Sequence, residues 1–576
     1  MDKNVLLIFL VLAAVVFGVQ FYMRKNAPAA EQKPAQTAQQ NAPAQPAPAP
    51  SAQPATVNAG GKTNASTKAA PQGAAAVQAS AESEIVVEND VYRITFSNRG
   101  AQVKSWVLKK FDDEHGKPLD LVNAADSAKY GYPLSLWTYD ENLRGQLNSA
   151  LYVPNTTAKT LNIPGTLTFD YSNSGLTVRK TFHFDSSYVV GVDTSVFQNG
   201  SPVSAYPAWP AALGDQTNVP AYASGQFEYQ NNDNTERVSY KKVSGGKTLQ
   251  GNYNWAGVGS QYFAAAFIPD NPGNATVVTL SNTVETHASV KSTEVKTADA
   301  LGIAVGRPGQ SSERLFAGPK SLQVAESISV PSIVGAPKDL RTMVNFGSLG
   351  LIARPLFVWL RWTNQYVHNW GWSIVLQTLI ITLALSPLRL MQMKSALKMQ
   401  KVQPQMKAIQ EKYKKYSMRD PRRQEMNKEV GELYKQHGVN PIGGCLPLLA
   451  TLPFFWAYYR MLGAAIELRH ASWLWIHDLS SPEPFPYFLP ILMVASMFIM
   501  QRMTPQAGMD PAQQRMMNIM MPAFMGFLFF NLAAGLNLYY AESNLLSIGQ
   551  QWLMNRTELG REMREIAAKR ARKKQT

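Results

Sequence analysis

Polar side chains interrupt an uncharged, apolar run. Gln377, Thr378, Thr382 and Ser386 lie within Trp370–Leu388, long enough to cross a bilayer, which takes ~20 residues. At ~100° per residue, Thr378, Thr382 and Ser386 fall on one face of a helix. Hydroxyls and amides do no covalent chemistry in such a place. They hydrogen-bond and hold water inside an apolar medium, where a polar side chain is costly and marks function by default. Such a face can line a hydrated groove, which thins the hydrophobic barrier that a hydrophilic segment of another chain must cross. The same residue types also bond backbone carbonyls or pack between helices. Residue type alone leaves both readings open.

Two ionisable residues stand in other apolar stretches, Arg460 in Leu446–Ala465 and Glu542 in Leu536–Trp552. Arg460 is ~21 Å from the Leu446 end of its stretch and Glu542 ~9 Å from Leu536, at 1.5 Å per residue. In an apolar core ~30 Å thick those depths agree. The expectation is an Arg460–Glu542 pair, with Tyr539 and Tyr540 donating to the carboxylate. Gly60-Gly61-Lys62-Thr63 and Gly245-Gly246-Lys247-Thr248 end like phosphate loops. Each lacks the first glycine and a following helical pattern, so nucleotide binding is rejected. With no metal-ligand spacing or nucleophile signature, the sequence predicts no enzyme activity, no metal and no cofactor. The single cysteine, Cys445, excludes an internal disulfide.

The elements that must position these residues follow from composition. Val5–Tyr22 is apolar, and an uncleaved membrane anchor over residues 1–25 is favoured over a signal peptide. Residues 26–83 are rich in Ala, Pro and Gln and predict a disordered tether. Residues 84–335 read as short alternating strands, such as Leu176–Phe184, between turn residues: a large all-β sandwich domain. Residues 336–369 predict an amphipathic helix lying in the membrane interface. Residues 370–552 hold five further apolar stretches, making six spans with the anchor. They include a basic helical hairpin at 389–438, turning near Ser417–Pro421. A basic tail, 553–576, follows.

The net charge of +15 is concentrated. Arg389–Pro441 carries thirteen lysines and arginines against five acids, and the tail carries eight against three. The positive-inside rule puts both in the cytoplasm, which leaves both termini inside and the β domain outside. Arg556, Arg561, Lys569, Arg570, Arg572, Lys573 and Lys574 are expected to meet ribosomal RNA or anionic phospholipids.

Five stretches carry a resemblance: NWGWSIVL (369–376), SPL (386–388), NPIGGCLPLL (440–449), IELRHASWLWIHDLS (466–480) and LNLYYAESNLLSIGQQ (536–551). Together they closely resemble the YidC family of membrane protein insertases. Residues 338–551 match strongly, and the anchor, tether and β domain fit the Gram-negative type. The resemblance implies a β-supersandwich periplasmic domain on a polytopic α-helical membrane protein of the bacterial inner membrane. It implies insertion and folding of nascent membrane proteins through a hydrophilic groove, alone or beside the Sec translocon. A monomer is expected. The family places an arginine where Thr382 stands, so this chain lacks that charge. Two competing functions remain at this stage. One is a transporter or channel, suggested by Arg460 and Glu542. The other is an anchored carbohydrate-binding module, suggested by Tyr206, Trp209, Tyr253, Trp255 and Tyr262.

Overall fold

The computed structural model describes residues 76–217, 225–232, 234–243, 246–287, 294–333, 335–416, 420–439, 446–503, 511–558, 560–562 and 564–566. The expected anchor, most of the expected tether, the hairpin turn at 417–419, Cys445 and Lys569–Lys574 lie outside the described residues.

Strand alternation builds the β domain. In Leu176–Phe184, Leu176, Val178, Lys180, Phe182 and Phe184 are buried, while Thr177, Arg179 and His183 are exposed. This strand pairs antiparallel with Gly165–Asn173 and Val189–Gln198 inside a ten-stranded sheet. Two five-stranded sheets accompany it, one around Ala275–His287 and Val295–Gly306, the other around Tyr92–Ser97 and Gln102–Asp112, and a two-stranded ladder pairs Ser329–Val330 with Lys338–Asp339. Lys180 is a charged residue at a core position. Its Nζ donates to the carbonyls of Gly100, Ala101 and Leu134 at 3.0, 2.6 and 2.5 Å, which ties two loops to the sheet. Tyr206, Trp209, Tyr253, Trp255 and Tyr262 are all buried, so they form core rather than an exposed sugar-binding face. The end of the expected tether is part of this domain. Val77 bridges Ser172, Ala79 N donates to Leu151 O, and Glu82 pairs with Arg99 at 2.8 Å. Small and polar residues that could not bury a core alone gain partners at a sheet edge.

The C-terminal part is helical. Its helices are α1 (Gly350–Val367), α2 (Trp370–Ala384), α3 (Ser386–Lys412), α4 (Arg422–Gln436), α5 (Leu446–Ala464), α6 (Phe488–Met503), α7 (Pro511–Phe529) and α8 (Ala534–Arg556). His368, in the left-handed conformation, ends α1, and Asn369 caps α2 by accepting from Trp372 N at 3.1 Å. Gly371 is required where it stands. A Cβ there would meet the Trp473 ring at 2.2 Å. Taken singly, no described helix is both long and apolar enough to cross a bilayer; α2 and α3 meet that test together, as a pair bent by 44°. The break is at Leu385, with Pro387 in the first turn of α3, so the basic helix begins within the expected second span.

α3 and α4 pack as an antiparallel pair through Val402, Met406, Leu433 and Val439. Lys412 meets Glu429 at 2.7 Å, and His437 meets Gln405 at 3.0 Å. The β domain is fastened to the loop after α5. Arg469 donates to Asp112 O at 2.6 Å and pairs with Glu114 at 3.0 Å, with both side chains largely buried. Ser321 Oγ donates to Glu467 at 2.9 Å, and Gln261 donates to Gly463 O at 2.9 Å.

Candidate functional site

α2 has two chemically opposite faces. Trp372, Leu376, Ile380 and Leu383 are exposed, while Ser373, Gln377, Thr378 and Thr382 are buried. The spacing of each set is that of a helical stripe. The buried stripe faces α8, which runs alongside α2 in matching register. Gln550 Nε2 donates to Ser386 Oγ at 2.7 Å across a separation of 164 residues. The same offset sets Ala534 beside Trp370 and Glu542 beside Thr378. Both Thr378 and Glu542 then lie ~12 Å from the end that carries the β domain.

The seam is a polar cluster inside an apolar bundle. Gln377 joins three helices. Its Nε2 donates to Leu356 O of α1 at 2.9 Å, and its Oε1 accepts from Tyr458 of α5 at 2.9 Å. Tyr458 stacks on Tyr539 of α8, with centroids 4.0 Å apart and planes at 17°. Thr378 Oγ1 donates to Ile374 O at 2.7 Å and lies within reach of the Glu542 carboxyl group. Ser386 Oγ donates to Thr382 O at 3.1 Å, and Gln550 Nε2 also reaches that carbonyl at 3.3 Å. Thr378 and Thr382 are thus packed between helices, and their hydroxyls do not line an open cleft.

Four buried acceptor or hydroxyl atoms on α8 have no hydrogen-bond partner among the described residues: Asn537 Oδ1, Tyr540 OH, Glu542 Oε2 and Gln550 Oε1. Buried polar atoms are nearly always partnered, so these four are open to hydrogen bonds from water or another chain.

The expected Arg460–Glu542 pair does not form. α5 ends at Ala464, four residues past Arg460, so Arg460 sits ~6 Å from the β-domain end and Glu542 ~12 Å. The Arg460 guanidinium lies over Gly347, where an added Cβ would stand 2.7 Å from Nε. Gly347, at φ +71°, combines a left-handed turn with room for that side chain. Tyr539 and Tyr540 also differ from expectation. Tyr539 stacks on Tyr458, and Tyr540 packs edge-on against Phe455 and Phe529, each at 4.9 Å.

In the tail, Arg556 stacks on Trp552, 3.6 Å from the ring centre, and Arg561 is exposed. Glu562 pairs with Lys401 of α3 at 2.5 Å. Tyr458, Gln550 and Asn537 belong to the cluster and were missed from sequence. The shared register of α2 and α8 would have placed Gln550, but nothing local singled out Tyr458.

The comparisons with known proteins cover both parts of the chain. Residues 362–561 match the family described as "60Kd inner membrane protein", and residues 84–359 match "YidC periplasmic domain". The "Membrane protein insertase YidC" of Syntrophus aciditrophicus is 31% identical over 570 residues, 96% of this chain and 100% of that protein. The protein of the same name in Ralstonia nicotianae is 34% identical over 516 residues, 88% of this chain and 89% of that one. A solved structure titled "Active YidC insertase crystal structure with the first transmembrane domain resolved" is 20% identical. It covers 84% of this chain and 94% of its own, with a TM-score of 0.34. With a β-rich domain matching the family's periplasmic module and a helical part matching its membrane module, this chain belongs to the YidC family.

Proposed function

We propose that this chain is a membrane protein insertase and chaperone of the bacterial inner membrane, with the β domain in the periplasm. One observation carries the proposal. The α2–α8 seam holds polar side chains and two unpartnered buried atoms, Glu542 Oε2 and Gln550 Oε1, while the opposite face of α2 is apolar and exposed. An exposed apolar stripe suits lipid. A buried polar seam suits a passing hydrophilic segment. Opening the seam exchanges side-chain hydrogen bonds for bonds to water or substrate, so each bond lost costs only about 1 kcal/mol net. No nucleotide is needed, because burial of the substrate's own apolar span in lipid is downhill.

The finer topology belongs to the same proposal. Residues 1–25 anchor the chain and the Ala/Pro/Gln-rich stretch tethers the β domain. α2, α5, α6, α7 and α8 cross the membrane with the anchor as six spans, and α1 lies in the outer interface. Both termini and the α3–α4 hairpin are cytoplasmic. The hairpin and tail bases meet ribosomes and anionic phospholipids, and the monomer works alone or with the Sec translocon. Supporting this topology, Leu351, Trp362 and Tyr366 of α1 are exposed, as an interfacial helix requires.

The test is replacement of the resident insertase in a depletion strain by this chain, read as insertion of small inner-membrane proteins. Restored insertion is expected, and no insertion by a chain that accumulates in the membrane refutes the proposal. Single cysteines at Thr378 and Thr382, in a Cys445→Ser background, report the groove. They should react with an impermeant thiol reagent faster than cysteines at Leu376 or Leu383.

A further inference from the structure

Charge is scarce along the seam, and at its centre it has one sign. α2 carries no acidic or basic side chain, and α8 carries Glu542 as its only one before Arg556. Arg460 of α5 is turned toward Gly347 at the β-domain end and leaves Glu542 unpaired.

The donors around the carboxyl group also serve other acceptors, and Thr378 is the one that reaches Glu542. The Thr378 hydroxyl donates to Ile374 O, the Tyr458 hydroxyl to Gln377 Oε1, and the Gln377 amide to Leu356 O. Glu542 Oε2 is buried with no hydrogen-bond partner among the described residues. An acceptor left unmatched in an apolar interior is expensive, and the cost falls when a donor or a cation arrives. Among the described residues, the groups that act on Glu542 include no cation. A basic side chain that reaches this site supplies the missing counter-ion, whereas an acidic one brings a second carboxyl group to it.

We infer that Glu542 is a specificity-determining residue that favours substrates whose translocated segment carries lysine or arginine over the same segment carrying aspartate or glutamate. This inference rests on the insertase reading and assigns the charge preference of that same seam. Discrimination lies in the difference between the two substrates, since only the basic one can pair with the carboxyl group.

The experiment uses the full chain in proteoliposomes without a membrane potential, because a potential would itself sort charged segments. The reporter is a single-span protein with a short translocated N-terminal segment bearing Lys, Asn or Asp at one position. Protection of that segment from added protease is the readout. The ratio of Lys to Asp insertion decides the outcome, not the absolute yield. In the unaltered chain the ratio should be at least ~5, the lower end of ordinary coupling between two sites. Glu542→Gln should bring it toward one, and Glu542→Arg should invert it. A ratio near one in the unaltered chain, with the Asn reporter inserting, overturns the inference while leaving the insertase reading intact. A ratio unchanged by Glu542→Gln overturns it in the same way. Failure of all three reporters overturns both. If neither variant can be purified, the ratio in the unaltered chain still decides.

Discussion

Arg469→Met should release the β domain from the helical part. Arg469 brings a charged fork into a junction where it is only 3% exposed and its partner Glu114 is 12% exposed. One arm donates to Asp112 O at 2.6 Å and the other to Glu114 at 3.0 Å, with the Phe263 ring 5.6 Å away. Methionine keeps the volume but strands the Glu114 carboxylate beside His470 alone, at 3.5 Å. Removing one partner of a buried pair costs about 3–5 kcal/mol, mostly from the charge left behind. The assay is hydrogen exchange at the amides of Leu468, Arg469 and Ala471, which are closed by local backbone bonds in this loop. If junction opening governs exchange, a loss of 3–5 kcal/mol accelerates it by roughly two to four orders of magnitude. Glu114→Gln in the Arg469→Met background should recover much of the loss, since it removes the stranded charge. Acceleration below tenfold, or a double variant no slower than Arg469→Met, would refute the reasoning. The pH dependence has a definite sign. Burial alone would raise the Glu114 pKa, but His470 and Arg469 together outweigh it and hold the carboxyl group below its ordinary value of 4.5. Its contribution is therefore fully present above pH 4.5 and is lost as pH falls through the lowered value.

Three further outcomes are expected. Burial pushes Asp215 from 3.8 up to about 6. The folded chain then holds that proton more tightly than the unfolded chain, so the β domain loses about 3 kcal/mol as pH rises between those values. Asp215→Asn should flatten that slope in urea unfolding followed by tryptophan fluorescence. Lys180→Met should orphan three buried carbonyls and lower β-domain stability by about 3–5 kcal/mol in the same measurement. Gly371→Ala should force the Trp473 ring aside at a cost of about 1–3 kcal/mol, seen as a lower melting temperature in detergent, and a bundle that melts unchanged would mean the loop yields freely.

Much of the architecture was legible because it depends on periodicity and on where charge is absent. Strand alternation marked Leu176–Phe184, and the basic stretch after Leu388 marked the hairpin. What sequence could not supply was the neighbour of each side chain. Lys180 follows the two-residue period into the core, but only the three carbonyls around it explain why a lysine is tolerated there. Residues 76–83 have a disordered composition, yet Val77 and Ala79 find sheet-edge partners far along the chain.

The seam shows the same boundary more sharply. Helical spacing put Thr378 and Thr382 on one face, but the content of that face is set by α8 in parallel register 164 residues on. The depth of a charge depends on a related feature. Counting Arg460 from the start of its apolar stretch ignored where α5 ends, at Ala464, and that end decides which groups the guanidinium can reach. The result is a carboxyl group without the cation that sequence had assigned to it. Polarity at the seam comes from residues on three helices, so a change on one helix changes the environment of the other two. Gln377 is the point where this dependence is strongest. It bonds α1 through Leu356 and α5 through Tyr458, and Tyr458 in turn stacks on Tyr539 of α8. Loss of the Gln377–Tyr458 bond would therefore also free the ring that stacks on Tyr539, so the contacts of α2, α5 and α8 are coupled through Gln377.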